Sequence, residues 1–411
     1  MILPFLFWLG LIACAPLLGQ WWRSHYWRLA LVFAAIPIIY YLLLLPPGAS
    51  NTVYHTAREY FSFIVLIGSL YVVSGGIEIS VAGQSSPVRN VIFLALGGLL
   101  ANVLGTTGAS LLLIRPWLHF NAGRASARHV VFFIFIVANI GGGLTPIGDP
   151  PLLLGFLKGV PFWWVLRHCW APWLLSMAWL LGVFYLLDRR GYAPVPAAPR
   201  PRVTCAGWRN IAFLAVIVAA VFVPQHLYLR EGLMLMAASG AYLVAGKKVY
   251  DNNEFRIAPM FEMAALFFAI FATMMPALDW LQFNARDVLG TTLSPARIYW
   301  SAGGVSGILD SAPAYLAFAG ALSGVFVHSV GGAAASLPGI AQTASAYLAA
   351  LSVATVYFGA LTYIGNGPNL MVKLIAERRG LRLPGFLAYF LKWAVPILLP
   401  LLLVLRLVFF H

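Results

Sequence analysis

The sequence predicts an all-α polytopic membrane protein built as two inverted repeats, each of five crossings plus one re-entrant hairpin, with interrupted helices at the midplane. Three observations predict it. Hydrophobic residues make up 61% of the chain and charged residues 9%, with mean hydropathy +0.87, which leaves no room for a sizeable soluble domain. An octapeptide occurs twice, as LTPIGDPP at Leu144 to Pro151 and LTYIGNGP at Leu361 to Pro368, each time interrupting an apolar run. A second matched pair precedes these breaks: LGTTGASL at Leu104 to Leu111 and LDSAPAYL at Leu309 to Leu316. Two breaks per half in the same order are the pattern of inverted-repeat transporters, whose site lies at the midplane.

Apolar runs place the elements. The first half holds spans at roughly 2–19, 28–46 and 60–83, a Gly-rich hairpin at about 90–114, an interrupted span at about 130–157 and a full span at about 162–187. The second half repeats that order at roughly 208–224, 231–247 and 258–278, with a hairpin at about 297–325, an interrupted span at about 342–376 and a last span at about 384–409. Residues 1–188 and 208–411 are thus the two repeats. The Arg-, Pro- and Ala-rich stretch 189–207 is a linker between them. Five crossings per half, an odd number, force the halves into opposite orientation. The first span is kept as a membrane helix rather than a cleaved signal, because its start, Met-Ile-Leu-Pro, carries no positive side chain.

The positive charges agree with this layout. Walking the chain puts 18 basic residues on one side, Arg115, Arg124, Arg128, Arg189, Arg190, Lys247, Lys248, Arg378 and Arg379 among them, while the 6 residues Arg58, Lys158, Arg230, Arg286, Arg297 and Arg406 fall on the other. The richer side is expected to be cytoplasmic. Both termini then face the periplasm of a bacterial inner membrane, the first hairpin enters from the cytoplasm and the second from outside. The pI near 9.9 reflects these loop charges and not a nucleic-acid surface. Cys14, Cys169 and Cys205 have no metal or disulfide spacing, and no cofactor is expected.

At the first break, Asn139-Ile140-Gly141-Gly142-Gly143 followed by Pro146, Gly148, Pro150 and Pro151 cannot continue as a helix. Backbone freed at membrane depth survives only against protein or a water-filled cavity. Bare carbonyls together with the side chains of Asn139, Thr145 and Asp149 are hard ligands that suit a dehydrated alkali cation. The second break offers Thr362, Gly365 and Asn366 in the same places, with a polar residue after the shared glycine each time. At the hairpin tips, Thr106, Thr107, Asp310 and Ser311 present oxygens where two backbones approach, whereas Ser110 and Ala314 fit close helix packing.

The chain has only 12 acidic residues. Asp188, Glu231, Asp251, Glu254, Asp287 and Glu377 fall at span ends or in loops, where solvation is expected. Asp149 and Asp310 sit at the breaks. Glu78, after Ser74-Gly75-Gly76, falls within the third apolar run and is a candidate proton relay. An ionisable group at such depth is a functional hypothesis by default, since it can hold either a proton or a cation.

At these residues the chain resembles a known group. The strings NIGGGLTPIGDPP and SGILDSAP look like the signature regions of NhaD-type sodium/proton antiporters and of their citrate-transporter-like relatives in the ion transporter superfamily. The resemblance implies a scaffold plus a mobile transport domain moving in an elevator manner, and a homodimer. It also implies a sodium site built from Asp149, Thr145, Thr107, Asp310, Ser311 and Asn366. The second tip reads Asp310-Ser311 where the antiporters have Asp-Asn, and the Ser-Asn-Thr tips of dicarboxylate relatives are absent from both hairpins.

That absence bears on the cargo. Two acidic side chains would repel a carboxylate substrate but attract a cation. The expected function is therefore sodium or lithium exchange for protons. A sodium-coupled citrate or dicarboxylate symporter is the alternative. An intramembrane aspartyl protease is the remote one, since Pro146 stands where its Gly-x-Gly-Asp motif needs the first glycine. The expected partners are membrane lipid and small inorganic cations.

Overall fold

The computed structural model describes residues 3–82, 85–190, 192, 202–223, 228–253, 255–289, 293–329 and 336–411. The chain is mostly helical. Helix α1 (Leu3–Ile39) turns at Gly19, whose φ of 54° and ψ of −119° leave the helical region. The chain folds back there: Trp8 and Phe33, about 38 Å apart in a straight helix, have ring centroids 5.2 Å apart. The first two spans are thus the two arms of one helical hairpin.

Helix α2 (Ser50–Gly75) ends before Glu78, and strand β1 (Glu78–Ala82) follows. Its antiparallel partner β2 (Arg202–Ala206) comes from the stretch expected to be a linker, with Glu78 opposite Ala206 and Ala82 opposite Arg202. This shortens the third span, expected to run to about residue 83, and adds one two-stranded ribbon to an otherwise helical chain. Ser74-Gly75-Gly76 ends the helix because glycine weakens it, and the exposed edge of one short segment then pairs with the other. The part of the linker at 193–201 lies outside the described residues.

Helix α3 (Pro87–Phe120) is also a hairpin. Ser86 caps it by accepting from the Arg89 amide at 3.3 Å, with Pro87 in the first turn. At Gly105 the backbone adopts φ 75°, ψ 155°, a region open to glycine. Beyond it the chain returns, so that Phe93 lies 5.1 Å from Trp117 and Asn90 donates to Asn121 Oδ1 at 2.8 Å. A helix of this length passes for a single membrane span on hydropathy, but those contacts require two antiparallel arms.

The first interrupted span is α4 (Ala127–Ile136), a 3₁₀ turn at Ile140–Gly142 and α5 (Pro150–Leu157). Helix α6 (Phe162–Arg190) completes the first half. The second half opens with α7 (Asn210–Ala220), α8 (Leu229–Ala245), α9 (Lys247–Asn252) and α10 (Ala258–Leu289). Helices α7 and α8 pack on one another and on α2, and α10 packs on α1.

The second hairpin is α11 (Pro295–Ile308) and α12 (Ser311–Ser329), broken at Leu309-Asp310. It starts as α3 does: Ser294 accepts from the Arg297 amide at 3.3 Å ahead of Pro295. Next come α13 (Leu337–Thr343) and α14 (Ser345–Phe358), bent by 113°, a 3₁₀ turn at Gly359–Leu361 and α15 (Gly367–Arg378). The chain closes with α16 (Phe386–Tyr389) and α17 (Val395–Phe409), joined by a π turn.

Among the described residues, six helices are long and apolar enough to cross a membrane, or seven if the bent pair counts as one span. The broken spans form the centre of the molecule. Every residue from Val130 to Ala138 is fully buried, as are most of those along α14. Irregular backbone here is therefore enclosed by protein, as it must be at membrane depth.

Candidate ion site at the crossing of two broken helices

The two breaks are held by the same bonds. Thr145 Oγ1 donates to the Asn102 carbonyl at 2.6 Å and accepts from the Gly148 amide at 3.1 Å. Thr362 Oγ1 donates to the Gly307 carbonyl at 2.8 Å and accepts from the Gly365 amide at 3.0 Å. The Thr106 amide donates to the Gly148 carbonyl at 2.7 Å, and the Ser311 amide to the Gly365 carbonyl at 3.1 Å. Each hairpin tip is thus fastened to the break of its own half. The threonine hydroxyls of the octapeptides are engaged in that fastening.

Glycine is needed where the breaks close on themselves. A Cβ on Gly148 would lie 2.0 Å from the Gly142 carbonyl oxygen, and one on Gly365 would lie 2.6 Å from that of Gly359. The carbonyl of Gly141, freed by the first break, accepts from Asn102 Nδ2 at 2.6 Å and Trp173 Nε1 at 3.0 Å. Asn102 also accepts the Leu144 amide at 2.9 Å.

The two breaks cross at a carboxylate. Asp149 stands at the N-terminus of α5, is 1% exposed, and receives Thr106 Oγ1 at 2.7 Å and Asn366 Nδ2 at 2.9 Å on the same oxygen, Oδ1. Asn366 holds the corresponding place ahead of α15 and also donates to the Ala138 carbonyl at 3.1 Å. A second amide pair joins the breaks beside it. Asn139 Nδ2 donates to Asn369 Oδ1 at 2.7 Å, and Asn369 Nδ2 donates to the carbonyls of Gly359 and Thr362, both at 2.9 Å.

Among the candidate ligands, three buried oxygens have no hydrogen-bond partner within the described residues: Asp149 Oδ2, Asn139 Oδ1 and Ser311 Oγ. A buried acceptor left unmatched costs about 1–3 kcal/mol. Two of the three can only accept, so the group they suit is a cation or a proton. Asp310 is half-buried and accepts from the Ala312 amide at 3.0 Å. Thr107 is half-buried and lines a small cleft with Gly105, Thr106, Gly148, Ile67 and Tyr71.

Glu78, expected within the third apolar run, lies instead in strand β1, where it is half-buried and accepts from Asn252 Nδ2 at 3.0 Å. Asp188 and Glu231, expected in solvent, are buried. Glu231 accepts from Ser62 Oγ at 2.6 Å and Arg230 Nη2 at 2.9 Å. Asp188 ties the base of the first hairpin to α4: its carboxylate receives Arg124 at 2.6 Å, Asn90 at 3.0 Å and His129 Nε2 at 3.2 Å.

Sequence reasoning missed Asn102, Asn369 and this cluster. The signal for the first two was a lone amide within an apolar run beside each break. For Asp188 the signal was absent, because a carboxylate near Arg189 and Arg190 reads as a solvated helix end. Asp188→Ala would strand Arg124 and His129, and is expected to lower stability by about 3 kcal/mol, read as an earlier thermal unfolding midpoint in detergent.

The fold is that of a multi-pass membrane protein in which two broken helices cross at a buried acid. A family model described as "Putative citrate transport" matches residues 1–410. The chain belongs to that family, within the ion and citrate transporter superfamily. A search of curated proteins gave no match.

Proposed function

We propose that this protein is a secondary transporter that exchanges sodium or lithium for protons, with Asp149 as the group that carries them in turn. The observation that carries the reading is the pattern at the crossing, where Asp149 Oδ1 is saturated by two neutral donors while Asp149 Oδ2 and Asn139 Oδ1 have no protein partner. Ser311 and Asp310, on the tip fastened next to Asn366, complete the ligand set. Thr107 lines the approach. Thr145, Thr362, Gly148 and Gly365 hold the frame.

The coupling works by exclusion. One carboxylate oxygen cannot hold a proton and a cation at once, so each must leave before the other binds. The two hairpins and broken spans, as inverted repeats, move as one body against the remaining helices in an elevator manner. The Arg-rich side faces the cytoplasm of a bacterial inner membrane with both termini in the periplasm, and the protein works as a homodimer.

Family membership favours a second reading, sodium-coupled citrate or dicarboxylate symport. Against it stands charge: two like charges roughly 4 Å apart repel by about 4 kcal/mol at an effective dielectric of 20, and Asp149 and Asp310 would both face a carboxylate cargo. The test is transport into proteoliposomes holding a pH dye and, in parallel, radiolabelled citrate. Sodium-driven pH change without citrate is the expected result, and a tenfold rise in proton concentration should raise the apparent sodium constant up to about tenfold below the pKa of the site. Sodium-dependent citrate uptake with a sodium constant independent of pH would replace antiport by symport.

A further inference from the structure

A second, larger cavity opens at the far end of α5. It is lined by Asn51, Thr52, His55, Thr56 and Glu59 from the first turns of α2, by Lys158 just past α5, and by Phe271, Met274, Met275, Leu278 and Asp279 of α10. Its lining mixes hydroxyl, amide and charged side chains with apolar ones, which suits a vestibule for a small hydrated solute. At its inner edge Lys158 Nζ donates to both oxygens of Glu59, at 2.8 and 3.0 Å. Asp279 is bonded to the Tyr41 hydroxyl.

The same two helices reach the ion site at their other ends. Ile67, Leu70 and Tyr71 of α2 face Gly148, Pro150 and Leu153 across the small cleft that also holds Thr106. Helix α2 advances about 12 Å between Glu59 and Ile67, and α5 runs antiparallel beside it from Lys158 back to Asp149. One seam therefore joins the vestibule to the residue next to Asp149. Between the two openings α2 carries the buried Phe63 and Leu66, with Phe63 packed on Phe267 and Phe271 of α10.

Helix α5 has eight residues and is bounded by Gly148 and by Gly159, whose φ is +96°. The Glu59–Lys158 pair ties the end of α5 to α2, and the two side chains are 26% and 28% exposed, so water can replace their partners when they part.

We propose that the α2–α5 seam is the access route between this vestibule and Asp149, and that the Glu59–Lys158 pair is the latch that holds it shut. Parting the pair leaves the Glu59 carboxylate free at the mouth, beside Asp279, where it draws a cation inward. The inference rests on the reading of Asp149 as the ion site, but its test reads access rather than transport.

The test uses full-length protein in detergent with Cys14 and Cys205, both exposed, replaced by serine and Ile67→Cys as reporter. The buried Cys169 stays as an internal control. The rate of modification by a small cationic thiosulfonate is read at both thiols by peptide mapping. Glu59→Gln and Lys158→Gln should each speed labelling at position 67 by up to about fivefold, the range of a partly exposed ion pair, with Cys169 unchanged. The swapped pair, Glu59→Lys with Lys158→Glu, should return the rate to that of the parent. Equal rates in parent and single variants, a swapped pair as fast as the singles, or parallel acceleration at Cys169 would overturn the latch. Loss of sodium/proton exchange in Asp149→Asn bears on the proposed function alone.

Discussion

Asp149→Asn is expected to abolish coupled exchange while leaving the fold intact. The asparagine carbonyl can accept from Thr106 Oγ1 and Asn366 Nδ2 as Asp149 Oδ1 does, at 2.7 and 2.9 Å. The change removes the charge from the oxygen that has no protein partner and puts an amide nitrogen in its place. Removing an ionisable group from a site that is 1% exposed does not destabilise the apo protein, because holding a bare charge there is itself costly. Two measurements check this. Proteoliposome exchange should fall to the level of empty vesicles, and the thermal stabilisation that sodium gives the parent, about 2.7 kcal/mol at a hundred times its dissociation constant, should vanish. Exchange and sodium stabilisation at parental levels would remove Asp149 from the mechanism. Asp310→Asn, which keeps the Ala312 amide bond, is expected to weaken sodium stabilisation as well.

Gly148→Ala is expected to be the most damaging conservative change in the frame. Its methyl group would stand 2.0 Å from the Gly142 carbonyl oxygen and 2.8 Å from the carbonyl carbon, and these are backbone atoms, not the end of a flexible side chain that could yield. The break would have to open, pulling the Gly148 carbonyl from the Thr106 amide and with it the tip from Asp149. Overpacking of this kind costs about 3 kcal/mol or more. Gly365→Ala meets the Gly359 oxygen at 2.6 Å and should cost less. Gly182→Ala, with nothing within 4 Å, should cost nothing measurable. Thermal unfolding in detergent gives the order directly. Equal midpoints for Gly148→Ala and Gly182→Ala would mean that the breaks are not closed as described.

Much of the site was legible in the sequence. The duplicated octapeptides marked both breaks, and Gly105 and Asp310 marked both tips, because proline without its amide proton and glycine without a side chain break helices wherever they stand. The order of elements followed from apolar run lengths. Less legible was how the oxygens are used. Thr145 and Thr362 read as ligands, yet their hydroxyls bond Asn102 and Gly307. Asn102 and Asn369, unremarked as letters, supply most of the amide bonds that keep the breaks in register.

Charge burial was the other blind spot. Asp188 is enclosed because the base of the first hairpin, the start of α4 and the end of α6 converge on it. Glu78 leaves the membrane run because β2, more than a hundred residues later, gives its segment a strand partner.

The sequence by itself determined where the helices must break, which polar residues each break exposes, and that nearly everything else is apolar enough to surround them. Those are local consequences of covalent structure and of side-chain transfer from water. Only the tertiary structure decided that Asp149 would meet Asn366 across 217 residues, that the threonines would be spent on the frame, and that one oxygen of the acid would be left unmatched. A hydrogen bond forms between whichever groups the packing brings within about 3 Å, and no property of a single segment fixes that distance.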